Sequence, residues 1–354
     1  MKKLIALFMA ICFLTVSLSS CKNSENSLIN SESLTSTMNE QNKPTEPNPA
    51  SDFEYQVNSA QTGILINKYV GSSSYVIIPS HIDDLPVLSL KGVPDEQYPT
   101  SIAEGVFEDK DIQSVVIPET IKVIGYKCFY NCQSLTSFTV AANSALTYIN
   151  GRAFENCAKI EEIDLRSTQL KEIDSLAFRG CTNLKDIMFA DTLEKIREKA
   201  FYGCSSLLNV DFPEILIEIQ GGAFAYCSSL KKIEIPTKLG LTSLNEPIFH
   251  DVPNLETVVF KEGREEIVGY AFIQSDASIA MIVPDGVKKF SSSPFLITPS
   301  SNITITFLGD APEIVEDDAP NWFGNPIVYY DSNKDGWETF DWKDKVDMNP
   351  LPQN

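Results

Sequence analysis

The sequence predicts an α/β repeat protein. Its expected form is a solenoid of short stacked coils, each giving one strand to a parallel sheet and a short helical turn to the opposite side. Three observations predict it. Phenylalanine returns as Phe107, Phe129, Phe154, Phe178, Phe201, Phe224, Phe249, Phe272 and Phe295, at intervals of 22 to 25 residues. Five residues before each stands a large apolar residue: Ile102, Ile124, Ile149, Ile173, Ile196, Ile219, Leu244, Ile267 and Phe290. Three residues after five of them stands a cysteine: Cys132, Cys157, Cys181, Cys204 and Cys227. A unit of about two dozen residues cannot enclose its own apolar side, so copies must stack and bury it jointly.

After each cysteine position comes a phrase of the form Leu-x-x-Ile-x-Ile-Pro, as in Leu230, Ile233, Ile235 and Pro236. Alternating β-branched and aromatic residues favour a short strand, and the proline ends it. Equivalent strands would pair in parallel about 4.8 Å apart. Equivalent phenylalanines would form an internal column, each ring burying roughly 150–250 Å². The segment Gly151-Arg152-Ala153-Phe154 reads as the short helical turn.

In chain order, residues 1–21 form a secretion signal. Lys2 and Lys3 give the charged start, and Leu4 to Val16 is an apolar run too short to span a bilayer. Leu18-Ser19-Ser20-Cys21 resembles a bacterial lipoprotein cleavage box, which makes Cys21 the lipidation site. Several acyl chains would anchor the chain stably. Residues 22–52, rich in Ser, Asn, Glu, Thr and Pro, read as a disordered tether. Residues 53–101 read as an N-terminal cap and first strand unit. It comprises a hairpin from Phe53 to Gly71, a strand at Tyr75–Ile78 and an inserted loop at Lys91–Ser101. The array proper spans 102–309, with Asn302–Phe307 as its last strand. Residues 310–354 hold Trp322, Trp337 and Trp342 and read as an aromatic-rich C-terminal cap.

The phrase Ala-Phe-x-x-Cys-x-x-Leu-x-x-Ile-x-Ile-Pro resembles the BspA-type leucine-rich repeats of bacterial surface proteins, over roughly residues 53–342. The Cys column departs from that pattern at Lys110, Val252 and Ser275. The resemblance implies a right-handed leucine-rich-repeat solenoid capped at both ends. It also implies a role in adhesion or in binding host or neighbouring macromolecules.

Composition narrows the partners. The formal charge is −20, and loss of Lys2 and Lys3 with the signal takes it to −22. Such a chain repels nucleic acid phosphates and anionic lipid faces. The expected partner is a protein or a glycan, with membrane contact through the lipid anchor only. The expected location is exported, anchored to a bacterial membrane, at the outer membrane or cell surface. No cofactor, metal or catalysis is expected. The two histidines, His81 and His250, sit in different units, and no hydrolase or phosphate-binding motif occurs.

Four features could carry chemistry. Cysteines that follow the repeat would have parallel Cβ vectors, which suits free buried thiols rather than disulfides. Cys128 and Cys132 are the best placed pair for a bridge. Asp331-Ser332-Asn333-Lys334-Asp335-Gly336 opens like a calcium loop, but its twelfth position is Trp342 rather than glutamate, so it reads as a turn. The C-terminal aromatics, including Trp337, Phe340 and Trp342, could stack on sugar rings and so make a glycan-binding accessory protein. They read first as the end of a core. Last, the residues between the apolar strand positions should point outward together as a candidate binding face. They are Glu161, Glu162 and Asp164; Lys185, Asp186 and Met188; Leu208, Asn209 and Asp211; Lys231, Lys232 and Glu234. Thr136, Ser137 and Thr139 continue the face on one side, and Glu256, Thr257 and Val259 on the other.

Overall fold

The chain divides into two units, Met1–Lys43 and Pro44–Asn354. The computed structural model describes residues 44–90, 104–240, 246–268, 272–274, 278–290, 295–297, 302–315 and 326–352. The signal with Cys21, most of the tether, the loop at Lys91–Ser101, and Ile102, Leu244, Trp322 and Phe323 lie outside the described residues.

The second unit is a stack of coils held by parallel ladders. One ladder carries the apolar residue five before each phenylalanine. It runs through Val123–Ile124, Tyr148–Ile149, Glu172–Ile173, Lys195–Ile196 and Glu218–Ile219, and through Glu266–Ile267, Lys289–Phe290 and Glu313–Ile314. A second ladder carries the Leu-x-x-Ile-x-Ile phrase. Its strands include Ser114–Ile117, Ser137–Val140, Glu162–Asp164, Asp186–Met188, Asn209–Val210, Lys232–Ile235 and Thr257–Phe260. A third, through Phe249–His250, Phe272–Gln274 and Phe295–Ile297, appears in the later coils. The expectation of one strand per coil is therefore too few. Any extended pair at a coil corner meets its copy on the next coil and can bond to it. The second ladder also continues past Asn302–Phe307 into Ile327–Tyr330 and Asp347–Pro350, both parallel. Asn302–Phe307 is not the last strand.

The expected helical turns are not helices. The one helical segment among the described residues is a 3₁₀ turn at Ala50–Asp52. Around Phe154 the N–H groups alternate in direction. Those of Ala153, Glu155 and Cys157 bond back three residues within the coil, at 3.2, 3.2 and 3.1 Å. Those of Arg152, Phe154 and Asn156 bond to Ser175, Ala177 and Arg179 of the next coil, at 3.0, 2.7 and 2.8 Å. A helix would send every N–H along its own axis; stacking takes half of them for the neighbour. The alternation needs a left-handed residue two after each phenylalanine. Asp109, Asn131, Asn156, Gly180, Gly203, Tyr226 and Asp251 fill that column with φ of 57°, 58°, 63°, 73°, 74°, 61° and 51°. All but Tyr226 are residue types that enter that region at low cost.

The phenylalanine column is an internal spine. Successive rings from Phe107 to Phe249 lie 5.1, 5.0, 4.9, 5.1, 5.0 and 5.5 Å apart between centroids. All seven are fully buried. The hairpin, Phe53–Val57 antiparallel to Ile64–Tyr69, extends the spine through Tyr69, whose ring is 5.1 Å from Phe107. At the other end, Trp342 packs on Phe290 at 6.4 Å and Trp337 on Phe307 at 5.3 Å.

The six described cysteines, Cys128 and Cys132 included, are free and buried. They are more than apolar filler. Each Sγ of the column donates to the carbonyl of the preceding coil's phenylalanine: Cys132 to Phe107 at 2.9 Å, and Cys157, Cys181, Cys204 and Cys227 to the next four, at 3.1 to 3.3 Å. The column thus bonds one coil to the next inside the core. Burial pushes the thiols of Cys132, Cys181 and Cys227 up to about 12. Buried thiols of this kind are poor nucleophiles.

Candidate functional site

The strand face is built by the period-two alternation of the second ladder. Ile163, Ile187, Val210 and Ile233 turn inward and are buried. Their neighbours turn outward: Glu161, Glu162, Asp164, Lys185, Asp186, Leu208, Asn209, Asp211, Lys231 and Lys232 are exposed, and Met188 and Glu234 half-buried. The register aligns Glu162 with Asp186, Asp164 with Met188, and Asn209 with Lys232. The face is less acidic than its residue count suggests. Lys185 bonds Glu161 on the preceding coil at 2.8 Å, and Lys232 bonds Glu234 at 2.5 Å. Arg166 grips Asp164 through two nitrogens, at 3.0 and 2.7 Å. That hydrogen bonding holds the Asp164 carboxyl below its usual range.

Between Ser137–Val140 and Glu162–Asp164 the ladder is interrupted. The first strand pairs only with Ser114–Ile117, and the second only with Asp186–Met188. A groove of about 360 Å³ lies along the break, lined by Thr136, Ser137, Phe138, Thr139, Val140, Glu162, Asp164 and Ser167.

Two other rows escaped sequence reading. On the first ladder, Glu172, Lys195 and Glu218 are aligned with alternating charge. Arg197 clamps the two acids, reaching Glu172 at 2.7 and 3.2 Å and Glu218 at 3.0 Å. Along the turn edge, the buried carboxylate of Glu155 accepts from Arg152 at 2.9 Å and Arg179 at 3.1 Å. The row goes on through Tyr202, Tyr226 and His250, with ring centroids 4.9 and 5.5 Å apart. Reading the residue beside each Ile or Phe as its own column would have found the first row and, apart from Tyr226, the second.

The Asp331–Gly336 loop already holds a cation of its own. Lys334 places its ammonium 2.7 Å from Asp285, with Asp310 and Asp331 close enough to raise its pKa further. Among the described residues, no group of three or more His, Cys, Asp or Glu could hold a metal ion. Of the two readings of the C-terminal aromatics, burial fits the core and not the sugar platform. Trp337, Phe340 and Trp342 are buried, at 6%, 5% and 0% exposure, so these rings offer no face to a sugar. No helix among the described residues is long and apolar enough to cross a membrane.

Comparison with known proteins agrees with this architecture. The BspA type leucine rich repeat region matches in six copies, over residues 100–228 and 171–304, more than half of the chain. The chain belongs to the BspA-type leucine-rich repeat family. No curated protein matches the chain. Several solved structures are similar to it. A Treponema pallidum (T. pallidum) leucine-rich repeat protein shares 25% identity at a TM-score of 0.44, covering 63% of this chain and 86% of that one. A leucine-rich cell surface protein from Faecalibacterium prausnitzii shares 16% at 0.40, covering 87% and 100%. A leucine-rich repeat protein from Bacteroides ovatus shares 18% at 0.44, covering 85% and 75%. These scores are low, and family membership rests on the repeats themselves.

Proposed function

We propose that this protein is a non-catalytic binding module carried on a bacterial surface, engaging a macromolecular partner through its strand face. One observation carries the reading. The inward columns repeat nearly unchanged, whereas the outward residues differ from coil to coil, from hydroxyls at Thr136–Thr139 to acids at Glu161–Asp164 and lysines at Lys231–Lys232. A rigid core with a varied, solvent-facing sheet is suited to recognition. The BspA-type membership supports a surface location, and the Leu18–Cys21 box supports a lipid anchor at Cys21 followed by a tether.

The test is capture by immobilised matrix proteins and glycans, using the purified full chain. Reversing charge at Lys185 and Lys232 should weaken capture without changing the fold. Capture that ignores both changes would remove the strand face from the binding site. The anchor has a separate test: Cys21→Ser should abolish incorporation of labelled fatty acid and release the protein from the membrane fraction.

A further inference from the structure

We infer that the groove between Ser137–Val140 and Glu162–Asp164 binds a short, neutral saccharide. The inference rests on the strand-face reading above and gives it a place and a ligand class.

The groove exists because the ladder parts there. Two facing strand edges meet without a backbone hydrogen bond between them among the described residues. At the other interruption, between Asp186–Met188 and Asn209–Val210, the Leu208 N–H still reaches Lys185 at 3.2 Å. The residue that sets this break apart is Phe138. The strand column that it occupies holds Val115, Ile163, Ile187, Val210, Ile233 and Val258 in neighbouring coils. Its larger ring wedges edge-on against Phe129 at 6.0 Å and Phe154 at 4.9 Å. At the same step those two spine rings are tilted by 21°, against 6° and 9° at the steps on either side.

What the opening offers is hydroxyls, carboxylates and open strand edges, above the nearly buried ring of Phe138. Ser137 and Thr139 stand on one side, Glu162 and Asp164 on the other. A carboxylate accepts two hydroxyl donors of a vicinal diol, while hydroxyls and backbone groups both donate and accept. The volume of about 360 Å³ falls within the range of small-molecule sites, roughly 300–1,000 Å³. Charge decides against the alternatives. Arg166 already balances Asp164, which leaves little net attraction for a basic peptide. Glu162 repels an anionic sugar.

The experiment is titration of the full chain with maltotetraose, mannotetraose and the N-acetylglucosamine tetramer, with decalysine as the peptide control. At least one neutral saccharide should bind. The double variant Glu162→Gln with Thr139→Val should weaken it by about tenfold or more. Phe138→Val removes the ring beneath the groove and should weaken binding, with far-UV circular dichroism unchanged. If Phe138→Val unfolds, the surface double variant decides. Failure of all three saccharides, equal affinity of the double variant, or binding of decalysine alone would each overturn the inference. If saccharides fail while charge reversal at Lys185 and Lys232 still weakens macromolecular capture, the strand-face function stands and only the groove falls. If capture ignores charge reversal, that broader function falls by itself.

Discussion

The step from Phe154 to Phe178 and the step from Phe129 to Phe154 obey the same repeat, yet they pack differently. In the first, spine rings lie 4.9 Å apart and 9° from parallel, and the strands beside them pair. In the second, they are as close, at 5.0 Å, but tilted by 21°, and the strand ladder beside them is broken. The strand column beside the open step holds an aromatic, Phe138, where the adjoining coils hold aliphatic residues. The spine keeps one stacking distance at both steps while the outer sheet closes at only one, so strand pairing is not fixed by the spine.

The largest expected effect lies in the spine. Phe201→Ala removes a ring stacked between Phe178 and Phe224, and should cost about 3–5 kcal/mol in denaturant unfolding. Next comes the turn edge. Glu155→Ala strips Arg152 and Arg179 of their shared acceptor and should cost about 1.5–3 kcal/mol, less where the guanidinium groups turn to water. The Cys column follows. Cys204→Ala removes its bond to Phe178 and should cost about 1 kcal/mol. The same column predicts a pH dependence. Thiols titrate near 8.5 in the unfolded chain but are pushed up to about 12 at Cys132, Cys181 and Cys227 when folded. Between those values the unfolded chain has lost protons that the folded chain keeps. Stability from these thiols is therefore complete below about pH 8.5 and falls as pH rises toward 12. Alkaline unfolding should flatten as column cysteines are replaced by alanine, and native protein should not react with thiol reagents at neutral pH. The smallest effect is expected on the open face, where Glu162→Ala should change stability by less than about 0.5 kcal/mol.

The inward columns were legible because each residue type repeats at one period: Phe, the Ile five before it, and the Cys three after it all occupy the places that the repeat implies. The outward assignment of Glu162, Asp186 and Lys232 follows from strand alternation together with the leucine-rich-repeat resemblance. The helical turn at Gly151–Phe154 was misread because its alternating N–H directions depend on contact with the next coil, which no local pattern encodes. Arg197 was missed for a related reason. Its partners, Glu172 and Glu218, lie one coil behind and one ahead, so its role appears only when coils are aligned. The strands at Ile327–Tyr330 and Asp347–Pro350 were taken for a separate cap because the phenylalanine signal had already ended. Phe138 was visible as an aromatic in an aliphatic column, but the groove beside it needed the geometry.

Side-by-side denaturant unfolding of Phe201→Ala and Glu162→Ala separates the inside of the coil from its outside. A loss of about 3–5 kcal/mol for the first and near-native stability for the second is the expected result. Equal stabilities for the two variants would mean that the stacked rings do not hold the coils together.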